Sequence, residues 1–291
     1  MTTRDHMPAV SIERLGPADV PETLTFLDAD PVTNVYVMAL VLRDALARPK
    51  DEYWAARRGG RMTALLYLGG HSGAVLPAGD DVEAARELGV LAAERLRSLP
   101  KRFQVIGPAD MVRALLQHFP GPDHEPRLVR AQSYLSLSPA ALPDFVRLPE
   151  LRTARREDYA LVYESGAALR AEELLEDPRE IDPIAYARRA EEDCRDGHTW
   201  VWRDARGLCF RSSISALTAD AAQISGVYTP PPLRGQGIAT RALAELCLRM
   251  LERASHACLF VNDVNAPALA LYRRLGFELR TPWMSAFYVL D

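Results

Sequence analysis

The chain has 291 residues, of which 48% are hydrophobic and 25% charged, with a formal charge of −4 at pH 7. Acidic and basic residues are interspersed, which speaks against a nucleic-acid-binding stripe and against a polybasic membrane anchor. The four cysteines, at 194, 209, 247 and 258, are too scattered for a disulfide framework or a zinc site, and no apolar stretch reaches spanning length.

In chain order, residues 13–19 predict a short strand entering a helix. Residues 53–57 and 64–68 predict two paired strands that turn at glycine. A helix over 82–99, a strand over 103–106 and a helix after Pro108 follow. Residues 128–137 are extended and partly alternating, and predict the last strand of a first domain. The proline-rich stretch 138–149 reads as a connector, since proline cannot sustain regular sheet or a long helix. A division near residue 149 gives domains 1–149 and 150–291, each long enough to bury a core.

The second half repeats the order of the first. Residues 151–158 parallel 13–19, and the strand pair 199–203 and 208–215 parallels the first hairpin. An apolar strand over 224–229 then breaks at Pro230, Pro231 and Pro232, and the turn Arg234-Gly235-Gln236-Gly237 opens a helix. Gly235 and Gly237 lack Cβ atoms, so successive N–H groups can converge on one anion at the positive end of the helix dipole. In that helix Ala239, Ala242, Leu243, Leu246, Cys247, Met250, Leu251 and Ala254 form one apolar stripe, and Arg241, Glu245, Arg249 and Glu252 fall outside it. A buried strand over 258–261 follows, then Asn265 as a helix cap and Pro267 in the first turn of a last helix ending at Gly276. Tyr272 falls on that helix's inward face, beside Ala268, Leu271 and Leu275.

The run Arg234-Gly235-Gln236-Gly237-Ile238-Ala239 resembles the R/Q-x-x-G-x-G/A loop of the GNAT superfamily of N-acetyltransferases. The run from Asn265 through Ala268, Leu271 and Tyr272 to Gly276 and Phe277 resembles that family's second motif. Two motifs in the right order are far more specific than either alone. The resemblance covers about residues 150–291 and implies an α/β (α+β) fold: tandem GNAT-like folds, each a mixed, mostly antiparallel sheet flanked by helices. The first copy carries Asp80 and Asp81 where the phosphate loop belongs, and carboxylates at a helix entrance repel a pyrophosphate. It has Arg113 where the second has Tyr272, and a guanidinium supplies no proton. The expectation is a degenerate copy that shapes the acceptor cleft without a cofactor of its own. An unrelated α/β domain is the alternative.

The resemblance further implies acetyl-CoA as cosubstrate, no metal, and transfer of acetyl by direct attack of an amine on the thioester. In that fold the strand over 224–229 splays from its neighbour, so backbone groups around Val227, Tyr228 and Thr229 hold the pantetheine arm. Arg234, Gly235, Gln236, Gly237, Ile238, Ala239 and Thr240 surround the diphosphate, and Asn265 adds a contact while capping its helix. Tyr272 is the general acid beside the coenzyme sulfur; a phenol's ordinary pKa of about 10 lies close enough to a thiol's for proton transfer. Without the motif it reads as a packed aromatic. Many relatives carry a glutamate on the splayed strand, whereas residues 222–227 here hold no carboxylate. Glu173, in the acidic run 172–177, is the candidate base or amine-binding anion, against the plainer reading of a solvated helix face. The acceptor is a small-molecule or polypeptide amine. Nucleic-acid and membrane partners are not expected, and the chain is a monomer or homodimer. Transfer of another acyl group, or an acyl-CoA sensor without catalysis, are the alternatives. With no secretory leader in view, a soluble cytoplasmic protein is expected.

Overall fold

The computed structural model describes residues 9–121 and 124–290 and divides into two compact units. In chain order the first stretch runs β1 (Val10–Arg14), α1 (Val20–Leu27), α2 (Val35–Asp44), β2 (Asp51–Arg58), β3 (Arg61–Gly69), β4 (Ala74–Gly79), α3 (Val82–Glu94), β5 (Arg102–Pro108), α4 (Ala109–Leu115) and β6 (Leu128–Leu137). The second runs β7 (Arg152–Thr153), α5 (Tyr159–Leu174), α6 (Pro178–Ile181), α7 (Pro183–Arg195), β8 (Thr199–Asp204), β9 (Gly207–Leu217), β10 (Ala221–Tyr228), α8 (Ile238–Leu251), β11 (His256–Asn262), α9 (Ala266–Arg274) and β12 (Glu278–Val289).

Unit 1 comprises residues 1–134, 262–264 and 279–291. Its strands follow the order β1-β2-β3-β4-β5-β12-β6, antiparallel from β1 to β4 and between β5 and β12, and parallel between β4 and β5. The sheet is covered on both faces, so β3 is apolar at consecutive positions. Leu65 and Tyr67 join the core beneath α1 and α2, while Leu66 and Leu68 join the core beneath α3 and α4.

Unit 2 comprises residues 135–261 and 265–278. The end of β6 begins its sheet, followed by β11-β10-β9-β8-β7, antiparallel from β10 to β7 and parallel between β10 and β11. The mixed, mostly antiparallel sheet flanked by helices is the fold class expected from the sequence.

The compact units do not follow a single cut at 149. Leu135, Leu137, Leu148 and Leu151 lie in the core of unit 2 under α8, because the connector is apolar at the positions that meet that helix. The C-terminal strand β12 counts with unit 1, where Trp283 to Val289 pair with Pro108 to Arg102 of β5. Among the described residues no helix is long and apolar enough to cross a membrane.

The helical stripe predicted for α8 is present, with one difference. Glu245, outside the stripe on the sequence, is fully buried. The connector crosses that flank of the helix: Arg147 donates through Nε and Nη2 at 2.8 and 3.0 Å, and the Leu148 amide donates at 3.0 Å. These bonds, Arg147 first, hold the Glu245 carboxyl at about 2, and a helical wheel carries no sign of the segment that supplies them.

Candidate functional site

Interruptions in the pairing of β10 mark unit 2. β10 pairs with β11 only at Ala221, Ala222 and Gln223, whereas against β9 it continues to Tyr228, opposite Arg211. From Ile224 onward it has therefore left β11, and its backbone on that edge no longer pairs with that strand. Between Ser225 and Tyr228 the β9 register slips by one residue, a bulge in which Gly226 takes φ +61°.

The proline-rich break leads to the glycine turn. Gly235 and Gly237 both adopt the left-handed region, at φ +74° and +75°. A Cβ built on either meets nothing within 4 Å, so the space above the turn is free. Gly237 is the N-cap of α8 and has no side chain to close the helix, leaving the first-turn amides of Ile238, Ala239 and Thr240 without a side-chain cap. Gln236 folds back to the carbonyl of Pro232 at 3.0 Å. The corresponding position in unit 1 is closed: Asp81 caps α3 by accepting from the Ala84 amide at 3.0 Å, and it also accepts from Arg58 and Thr63 at 2.7 and 2.9 Å. The Arg58 bond, first among the causes, holds the Asp81 carboxyl at about 2.

Arg234 does not project over the turn. Its Nε donates to the Thr229 carbonyl at 2.9 Å, its Nη2 to both carboxylate oxygens of Glu172 at 2.9 Å, and its guanidinium lies 5.6 Å from the Tyr228 ring centre. Val227 is half-buried, Tyr228 and Thr229 are buried, and the Thr229 hydroxyl has no hydrogen-bond partner among the described residues. Asn265 caps α9 by accepting from the Ala268 amide at 3.2 Å. An uncapped glycine turn, an unpartnered buried hydroxyl and a parted strand pair fit a coenzyme A thioester. Residues 235–240 would hold its diphosphate, and 227–229 its pantetheine arm.

Tyr272 is 6% exposed, packs edge-on against Phe277 with ring centres 5.7 Å apart, and has no hydrogen bond from its hydroxyl among the described residues. Burial, reinforced by the charge of Glu173 and then by Cys247, pushes its phenol well above the ordinary value. The charge comes from the exposed carboxylate near the end of α5, while the phenol is buried on α9.

The sequence reading missed Arg211. It sits inside the sheet, in register with Val201 of β8 and Tyr228 of β10, and its side chain is 7% exposed. The available signal was an arginine within the strand-like run 208–215, but alternation alone does not say whether a strand residue faces a core or a cleft.

The sheet geometry and the glycine turn are those of a GNAT-like fold. Residues 168–277 match the family model described as the acetyltransferase (GNAT) family, so the chain carries a GNAT domain there. Among solved structures, a GCN5-related N-acetyltransferase from Sphaerobacter thermophilus is 18% identical, with 97% of this chain and 96% of that one aligned at a TM-score of 0.60. A tandem GNAT protein from the clavulanic acid biosynthesis pathway is 17% identical, with 96% and 98% aligned at 0.56. A GNAT-family acetyltransferase from Colwellia psychrerythraea is 10% identical, with 96% and 99% aligned at 0.57. At these identities the likeness is one of fold. Comparison with curated proteins gave no match.

Proposed function

We propose that unit 2 transfers an acetyl group from acetyl-CoA to an amine. The observation that carries this reading is the parting of β10 from β11 immediately before an uncapped glycine turn. The parting offers unpaired backbone amides to a thioester carbonyl, and the turn offers converging amides to a diphosphate.

In this reading the amine nitrogen attacks the thioester carbonyl carbon, a C–N bond forms, and the C–S bond breaks. Backbone N–H groups of β10 near Val227 stabilise the charge that develops on the carbonyl oxygen. The amine's proton passes to Glu173 or to water, and Tyr272 protonates the departing thiolate. A buried phenol with no competing partner stays protonated across the working pH range. Burial also disfavours a bare thiolate, so the two pKa values rise together. Glu173, an exposed carboxylate near the end of α5 whose charge acts on Tyr272, is the candidate to receive the amine's proton.

The test is thiol release from acetyl-CoA across a panel of primary amines. Release that depends on the amine supports the reading. Tight binding of acetyl-CoA with no release across the panel would instead mark an acyl-CoA sensor, the reading favoured by the lack of a carboxylate between Ala221 and Tyr228 of β10.

A further inference from the structure

We propose that Leu169 sets the length of acyl chain that the site accepts: its side chain closes a methyl-sized space at the β10 bulge, which receives the methyl of an acetyl group and excludes longer chains. The proposal rests on the acyl-transfer reading of the same site.

The order of the site along β10 places the acyl end. With a diphosphate at residues 235–240 and the pantetheine arm along 229–227, the thioester comes next. Its carbonyl oxygen accepts from a backbone N–H near Val227 at about 3 Å. The acyl carbons hang from the same carbonyl carbon, so they fall beside Gly226. β10 is accessible here and nowhere else along its length. It is buried from Ala221 to Ile224 and again at Tyr228, whereas Ser225, Gly226 and Val227 are half-buried.

The space beside Gly226 fits one carbon. A Cβ built there would have Leu169 Cδ2 at 3.7 Å and the Ser213 hydroxyl oxygen at 3.9 Å, both ordinary van der Waals separations. The other glycines of unit 2 differ. A Cβ on Gly166 or Gly276 would strike its neighbours, and one on Gly197, Gly207, Gly235 or Gly237 would meet nothing within 4 Å. The φ of +61° by itself accounts for glycine at 226, so the room beside its α carbon is a separate property.

Leu169 is the wall that sets the size of this space. Ser213 is fixed, since its strand pairs on both sides and its hydroxyl lies 2.9 Å from that of Thr199. Leu169 is half-buried and reaches the bulge from α5. Glu173 follows four residues later, on the same helix face, and its charge acts on the Tyr272 phenol. Glu172 binds Arg234 beside the glycine turn. The last turns of α5 therefore run from the bulge to the turn, with Leu169 at the acyl end.

The experiment measures thiol release from acetyl-, propionyl- and butyryl-CoA, with an amine that the unmodified protein accepts, for the unmodified protein, Leu169→Met and Leu169→Ala. One methylene in an apolar pocket is worth about 10- to 200-fold in kcat/KM, so the unmodified protein should prefer acetyl- over butyryl-CoA by at least about tenfold. Leu169→Met, close in volume, should keep that preference. Leu169→Ala should bring the three donors within about threefold by raising turnover of the longer two, with the KM for the amine unchanged. A merely structural role for Leu169 would lower all three donors together and leave their ratio intact. Equal rates in the unmodified protein, a preference for a longer chain, or an acetyl preference undiminished in Leu169→Ala would overturn the gate while leaving acyl transfer in place. Should Leu169→Ala fail to fold, Leu169→Val, smaller by one methylene, takes its place, with the gain confined to propionyl-CoA. If no amine releases thiol from any donor, the acyl-transfer reading falls, and calorimetry with the same three thioesters decides the gate. Affinity that drops with chain length and levels in Leu169→Ala keeps it, and any other pattern overturns it.

Discussion

Arg234 donates through Nη2 to both carboxylate oxygens of Glu172 at 2.9 Å, and this pair fastens the glycine turn to the far end of α5. Both side chains are nearly half exposed, at 46% and 44%, so the pair itself contributes at most about 1 kcal/mol. A diphosphate at the turn is an alternative partner for the same guanidinium. Replacing Glu172 with glutamine removes a nearby negative charge and frees Arg234, so acetyl-CoA affinity by calorimetry should rise by up to about five-fold at low salt. A weaker affinity in Glu172→Gln would show that the carboxylate supports the site instead of competing with it.

Asp81 and Gly237 occupy corresponding places, each the cap of the helix that follows the fourth strand of its copy. Asp81 fills its own helix entrance, while Gly237 leaves one empty. Gly237→Glu would bring a carboxylate to that empty entrance, and calorimetry should show acetyl-CoA affinity falling by about 100-fold or more, as like charges meet at contact distance. The left-handed φ of +75° also strains any L-residue, by roughly 1–2 kcal/mol, so Gly237→Ala serves as the matched control. Alanine should lower the melting temperature similarly while keeping most of the affinity. Unchanged binding in Gly237→Glu would remove the turn from the cofactor site.

Legibility in the sequence followed the range of the interaction. The glycine turn, the α8 stripe and the Asn265 cap were readable because each depends on residues within about one helical turn of one another. The duplication was readable from element order, since Asp81 and Gly237 each fall between a strand and a helix. What escaped depends on segments distant in the chain. Glu245 lies off the apolar stripe, and only the connector, about a hundred residues upstream, makes it interior. Arg211 reads as an ordinary strand residue until α5 and α7 close over it. The final strand β12 lies in unit 1, although chain order suggests the second half.

Tyr272 separates catalysis from packing unusually well, because its hydroxyl forms no hydrogen bond among the described residues. Tyr272→Phe therefore removes no internal bond, and the urea midpoint should move little. If the phenol protonates the leaving thiolate, kcat should fall by about 100-fold, within the usual range for general acid catalysis, while acetyl-CoA affinity stays constant. The raised pKa fixes the pH behaviour. An acid works below its pKa, so raising it moves any loss of the donor to higher pH. The kcat profile should show no falling limb from Tyr272 below about pH 10, the ordinary phenol value. Equal turnover in Tyr272 and Phe forms would leave the residue a packed aromatic.

Glu245 contributes to the acid sensitivity of unit 2. The Arg147 hydrogen bonds, followed in order by the Leu148 amide and Arg249 among its favourable partners, lower its pKa from 4.5 to about 2. A carboxylate whose folded pKa is depressed contributes stability above its unfolded pKa and loses it as pH falls through the folded one. That contribution should be whole above about pH 5, shrink from about 4.5 downward, and vanish near 2. Glu245→Gln leaves the arginines without their anion. Because Arg147 is itself 61% exposed, the cost at pH 7 belongs at or below the lower end of the range for a broken buried pair, about 3 kcal/mol. Urea midpoints for the two proteins should therefore differ clearly at pH 7 and converge towards pH 2. A gap that persists at low pH would mean that shape at the α8–connector contact, not charge, holds this flank of the helix in place.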